Sequence, residues 1–142
     1  MPREGVGQMD LTTEATEATD TTQHVVTTEI EKIARAFSSH RFDQAVPHLT
    51  DDVVWTRVGE KPLIGRKAVK KACERTAADL AGVTTEFQRF RTVVGDESVA
   101  VESLARYTGA DGDVSIVASC DVYDFDEERV TEIVSYLVEL PG

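Results

Sequence analysis

From Val83 to Leu140 the chain holds four strand-length stretches: Val83–Val94, Ser98–Thr108, Val114–Phe125 and Arg129–Leu140. Only Gly95–Glu97, Gly109–Asp113 and Asp126–Glu128 separate them. Each is rich in β-branched and aromatic residues, which suit a pleated, half-buried backbone. Linkers this short join antiparallel neighbours, because a parallel pair needs a crossover of a dozen residues or more. A long antiparallel meander is therefore expected, and the rest of the chain has to cover it.

The preceding part changes period. Val26, Ile30, Ile33, Ala34 and Phe37 follow helical spacing, with two competing capping boxes, Asp20-x-x-Gln23 and Thr28-x-x-Glu31. The stripe spans both, which favours the earlier start and an end near Ser38-Ser39-His40. Phe42, Ala45, Val46 and Leu49 predict a short second helix, with Pro47 imposing a kink or restricting it to a first turn. Val53–Arg57 reads as a strand, and Gly59–Gly65 as a loop. A third helix is expected over Arg66–Ala81, its apolar stripe formed by Val69, Ala72, Cys73, Thr76 and Leu80 and its wet side by Lys67, Lys70, Lys71 and Arg75, with Gly82 as its cap. Helices first and strands after is an α+β layout. Residues 1–19, acidic and with a low-complexity, polar, Thr-rich run over Thr12–Thr19, read as a disordered tail, leaving residues 20–142 as one domain.

A net charge of −11 argues against nucleic acid and anionic membranes as partners. No apolar run approaches a membrane span and no apolar leader segment is recognisable, so the expected compartment is the cytoplasm. Cys73 and Cys120 belong to no metal-ligand spacing and read as reduced core residues. No metal or cofactor is expected.

Neither face of the last two strands is clearly solvent. Val114, Ile116, Ala118, Cys120 and Val122 share one face of the third stretch; Ser115, Val117, Ser119, Asp121, Tyr123 and Phe125 share the other. A sheet covered on both sides explains this, with helices on one face and a second copy of the chain on the other: a homodimer through the outer face. Composition alone puts the Cys120 face inside and Asp121 outside.

Certain segments are similar to the SnoaL-like branch of the nuclear transport factor 2-like superfamily. They are Phe42-Asp43-Gln44-Ala45, Leu49-Thr50-Asp51-Asp52-Val53-Val54-Trp55, Gly65-Arg66-Lys67-Ala68-Val69, Cys120-Asp121-Val122-Tyr123-Asp124-Phe125 and Arg129-Val130-Thr131-Glu132-Ile133. The resemblance spans roughly residues 24–140. It implies a cone-shaped barrel, a curved, mostly antiparallel sheet wrapped around three N-terminal helices, with an apolar pocket and Asp121 inside it. Such domains include ketosteroid isomerases, epoxide hydrolases, polyketide cyclases and non-catalytic binders, so the fold alone leaves function open. The isomerases use a base, a Tyr and a protonated Asp; of that set only Asp121 matches, and Arg57 and Ile33 occupy the other two positions. The Asp-Arg-Asp set of the epoxide hydrolases falls on Ser103, Ala105 and Ser135, which excludes that mechanism.

Asp121 is the candidate catalytic group, because a carboxyl on a pocket wall is held near neutrality by burial; the alternative is a structural acid. Arg57 pairs with Asp121, meets a ligand carboxylate, or bends out to solvent. Trp55, Tyr107, Tyr123, Ile133 and Leu137 are candidate walls, and Ser103, Ser119 and Ser135 leave room and hydrogen-bonding capacity beside them. His40 and His48 flank the short helix, with His48 the nearer to the expected cavity mouth. The leading expectation is a pocket for a small apolar ligand bearing a carbonyl or carboxylate. The alternatives are an isomerase- or cyclase-type enzyme in which Asp121 moves a proton and Arg57 stabilises negative charge, and a non-catalytic dimerisation module.

Overall fold

A computed structural model describes residues 27–141; the acidic tail and the Asp20–Gln23 capping box lie outside them. Thr27 and Thr28 are not helical, and α1 spans Glu29–Ser38. The later capping box therefore sets the start: the Thr28 hydroxyl accepts from the Glu31 amide at 3.2 Å. Buried Ile30, Ile33, Ala34 and Phe37 form the stripe that holds the helix down.

Next come α2 (Phe42–Ala45) and a 3₁₀ turn over Val46–His48, with Pro47 in its first positions, where no amide is missed. The strand β1 begins earlier than its composition suggested, at Leu49, and runs to Arg57. Leu49 is fully buried opposite Val130, so its apolar spacing from Phe42 serves the sheet, not the helix. Within the expected loop, Leu63–Ile64 forms a short edge strand, β2. Gly65 follows at φ +95°, a conformation that favours glycine, and turns the chain into α3 (Arg66–Leu80). Gly82 lacks the left-handed conformation expected of a cap; Ala81 closes the helix instead.

The meander comprises β3 (Thr84–Val94), β4 (Ser98–Thr108), β5 (Val114–Asp126) and β6 (Arg129–Leu140), each antiparallel to the next. The sheet order is β2-β1-β6-β5-β4-β3, and β6 pairs in parallel with β1. The result is a curved, mixed, unclosed sheet with three helices: an open cone, not a closed barrel.

Its inner face carries Trp55, Val99, Val101, Tyr123, Phe125, Val130 and Ile133, packed against α1 and against Val69, Ala72 and Cys73 of α3. Tyr123, Val99, Val101 and Ile133 are each at most 1% exposed, so Asp121, two residues from Tyr123, also faces inward. The more apolar Cys120 face lies outside, and Tyr136 and Val138 stand 51% and 60% exposed there.

Candidate functional site

Strand alternation brings the inward residues into rows. Arg57 on β1 registers with Ser135 on β6, and Ser135 with Asp121 on β5. One strand toward the edge, Leu137, Ser119 and Ser103 form the next row. These six residues, with Trp55 and Tyr107, line an inner cavity of about 180 Å³. Two predicted wall residues do not. Tyr123 and Ile133 register with each other one row deeper, in the solid core. Leu137, 60% exposed, sits at the rim.

The helices supply the roof. Phe37 and Ser38 of α1, His40, Phe42 of α2 and Thr76 of α3 all line the cavity, as do Phe87 and Val117 from the sheet. None of these was foreseen as a site residue. Ser38 carried a usable signal, since it lies four residues after Ala34 and extends the buried stripe. His40 carried none, because it lies in the link between two helices. His48 does not line the cavity; His40 does.

Asp121 is the centre of a polarised hydrogen-bond network. The Ser38 hydroxyl donates to Asp121 Oδ2 at 2.7 Å and lies 2.5 Å from Tyr123 Oη. A hydroxyl has one proton, so the Tyr123 O–H donates to Ser38. On the other side, Trp55 Nε1–H donates to Ser135 Oγ at 2.9 Å. The indole can only donate, which leaves the Ser135 hydrogen free for the carboxylate across the strand pair. Burial raises the Asp121 pKa; hydrogen bonds from Ser135 and Ser38, and the charge of His40, oppose the rise. Burial lowers that of His40, and the negative charge of Asp121 pulls it back up. Tyr107 is raised by burial and then by Asp121. Ser103 and Ser119 bond to each other at 2.8 Å.

Arg57 does not pair with Asp121. Neighbouring strands are about 4.8 Å apart, so two strand spacings, roughly 10 Å of backbone, separate the two. Its guanidinium lies over the Trp55 ring at 5.2 Å, and Nη2 meets Glu60 at 3.2 Å. The Arg57 Nε–H is buried without a hydrogen-bond partner.

A larger cleft, about 480 Å³, lies beyond His40 and Phe42, between the α2 segment and α3. Cys73 lines it, with burial pushing the thiol up to about 12, so the cysteine is no nucleophile at neutral pH. The cleft lacks both Asp121 and Arg57, and the inner cavity is therefore the candidate site. Among the described residues, no three His, Cys, Asp or Glu side chains group as a metal site, and no helix is long and apolar enough to cross a membrane.

Residues 30–133, most of the described domain, match the family described as the SnoaL-like domain. The chain belongs to that family. Among curated proteins, no sequence matches the chain. Solved structures do. A nuclear transport factor 2-like protein of unknown function from Cytophaga hutchinsonii is 24% identical, with 79% of this chain and 98% of that one covered and a TM-score of 0.70. A candidate polyketide cyclase from Xanthomonas campestris pv. campestris is 16% identical, covering 76% and 89%, with a TM-score of 0.62. An LEH-like epoxide hydrolase from M. tuberculosis is 21% identical, covering 79% and 84%, with a TM-score of 0.59. At these identities the likeness of this SnoaL-like domain to them is one of fold.

Proposed function

We propose that this SnoaL-like domain binds a small, mostly apolar molecule by a single carbonyl group, in the cavity that ends at Asp121. The observation that supports this is the cavity itself: aromatic walls around one carboxyl that burial holds toward its protonated form. Ligand pockets of ordinary size begin near ~300 Å³, so the space favours a small ligand. A neutral carbonyl suits the lining better than a carboxylate, because Glu60 already neutralises Arg57 and an ionised Asp121 repels a second anion.

The test uses cyclohexanone and cyclohexanecarboxylate as probes, with Trp55, the sole tryptophan, reporting from the cavity wall. Cyclohexanone should change the emission saturably and the carboxylate should not. No saturable response to either probe would remove the reading.

A second reading has its own support. Asp121 accepts a hydrogen bond from Ser38 and faces the cavity, and its raised pKa makes it a better base than a surface carboxylate. Isomerase- or cyclase-type proton transfer follows from that, in line with the names of several fold neighbours, among them a candidate isomerase from Rhodopseudomonas palustris. We propose in addition that the outer sheet face pairs two copies of the chain. The support is the exposed apolar band that includes Tyr136 and Val138.

A further inference from the structure

The helix α1 ends in a reverse turn of the kind that usually holds glycine. Arg41 N–H bonds to Ala36 O at 2.8 Å and His40 N–H to Phe37 O at 3.1 Å, which places His40 at the left-handed position, with φ +70°. A non-glycine residue there carries backbone strain, which persists only where the surrounding structure holds it in place. The His40 ring lies among aromatic rings. It sits 5.7 Å from the ring of Phe42, 6.0 Å from Phe87 and 6.1 Å from Tyr107, on the wall of the cavity that holds Asp121.

The charged and titratable groups around it divide by side. Asp121, Arg57 and Tyr107 face it within the inner cavity, and Asp43, Lys70, Cys73 and Glu74 line the outer cleft behind it. Arg57 Nη2 is engaged by Glu60, and the His40 imidazole stands on the wall of the cavity that holds the carboxylate, as a donor beside the Tyr107 hydroxyl and the Arg57 Nε–H.

We propose that His40 is the hydrogen-bond donor to the substrate oxygen in a proton transfer for which Asp121 is the base. The substrate is a small ketone with an acidic hydrogen beside the carbonyl. This rests on the proton-transfer reading above. The Asp121 carboxylate takes the proton from the carbon. The C–H electron pair becomes the carbon–carbon double bond of the enolate, and the carbonyl pair moves onto oxygen, where the His40 N–H stabilises it. Asp121 then returns the proton, to the same carbon or to the far carbon of a conjugated system. No oxidant or co-reactant enters. The network fits these roles: Trp55 and Tyr123 feed two serines whose hydroxyl hydrogens support an ionised Asp121. Burial lowers the His40 pKa, with Asp121 pulling the other way, and neutral and charged imidazole alike have an N–H to donate.

The probe is cyclohex-3-enone, small enough for the cavity, whose isomerisation to the conjugated enone is read by ultraviolet absorbance. His40→Asn tolerates the left-handed backbone but is too short to reach; kcat should fall about a hundredfold or more, with KM little changed. His40→Gln, whose amide N–H restores a donor, should recover part of the loss. Circular dichroism confirms that each variant is folded. Wild-type turnover with an unchanged kcat in His40→Asn would overturn the assignment of His40 and leave the role of Asp121 intact. Saturable binding with neither turnover nor deuterium exchange beside the carbonyl would overturn the proton transfer and spare the binding reading. An absence of binding would remove both.

Discussion

Ser38 donates to Asp121 Oδ2 at 2.7 Å across 83 residues of sequence, so the last turn of α1 fixes the orientation of the acid on β5. The same hydroxyl accepts from Tyr123, which makes it the junction between a core phenol and a cavity carboxylate. Ser38→Ala leaves the wholly buried Tyr123 hydroxyl without its partner, and should cost about 1–3 kcal/mol in urea unfolding. Ser38→Ala combined with Tyr123→Phe removes both partners and should cost clearly less than the two single changes summed. Strict additivity would show that the bond carries no energy.

Asp121 and His40 should impose opposite pH dependences on stability. The folded pKa of Asp121 is raised, so between the unfolded value near ~3.9 and the folded one the native state holds more protons. Stability is therefore lost as pH rises through that window. His40 is lowered, so below its unfolded value near ~6.5 the unfolded state holds more protons, and stability grows as pH rises toward that value. Against wild type, Asp121→Asn should gain relative stability as pH climbs through the acid window. Denaturant midpoints measured across pH decide this, and a pH-independent difference would contradict it.

Glu127 occupies the tight turn between β5 and β6 at φ +57°, a left-handed conformation costing a non-glycine residue roughly 1 kcal/mol. Glu127→Gly should raise the melting temperature by a few degrees, offset in part by the greater freedom of glycine in the unfolded chain. A lowered melting temperature would mean that the glutamate side chain contributes more than its backbone loses.

The proposed pairing of two chains can be read by sedimentation. Val138 is 60% exposed beside Ala118 on the outer face and lies away from the cavity. Wild type should sediment as a dimer, and Val138→Glu as a folded monomer, because a charge is costly in an apolar interface. A wild-type monomer at micromolar concentration would dispose of the pairing.

The four long strands are legible in the sequence almost to the residue, because alternation over eleven or more positions between turn residues is a strong local signal. Leu49 misleads because its partner, Val130, is distant in sequence and helical spacing is the only local cue. The inward face of β5 is ambiguous for a related reason: the Cys120 face is the more apolar, and only the family resemblance puts Asp121 on the inner one. Trp55, Arg57, Ser135 and Asp121 can be found because strand alternation projects them together. Ser38 and His40 escape notice because a helix end and a linker have no period to read.

The place of β6 in the sheet bears on how the molecule comes into being. Among the described residues the last strand, β6, lies between β1, the first of them, and β5. Until it docks, the β1–β2 pair and strands β3 to β5 are separate sheets, and Ser135 cannot reach Trp55, 80 residues earlier. Closing that distance costs loop entropy before any pairing energy is recovered, which makes long-range β assembly slow. On a ribosome the cavity cannot close until nearly the whole domain has emerged. Of the described strands, the one made last completes the cavity.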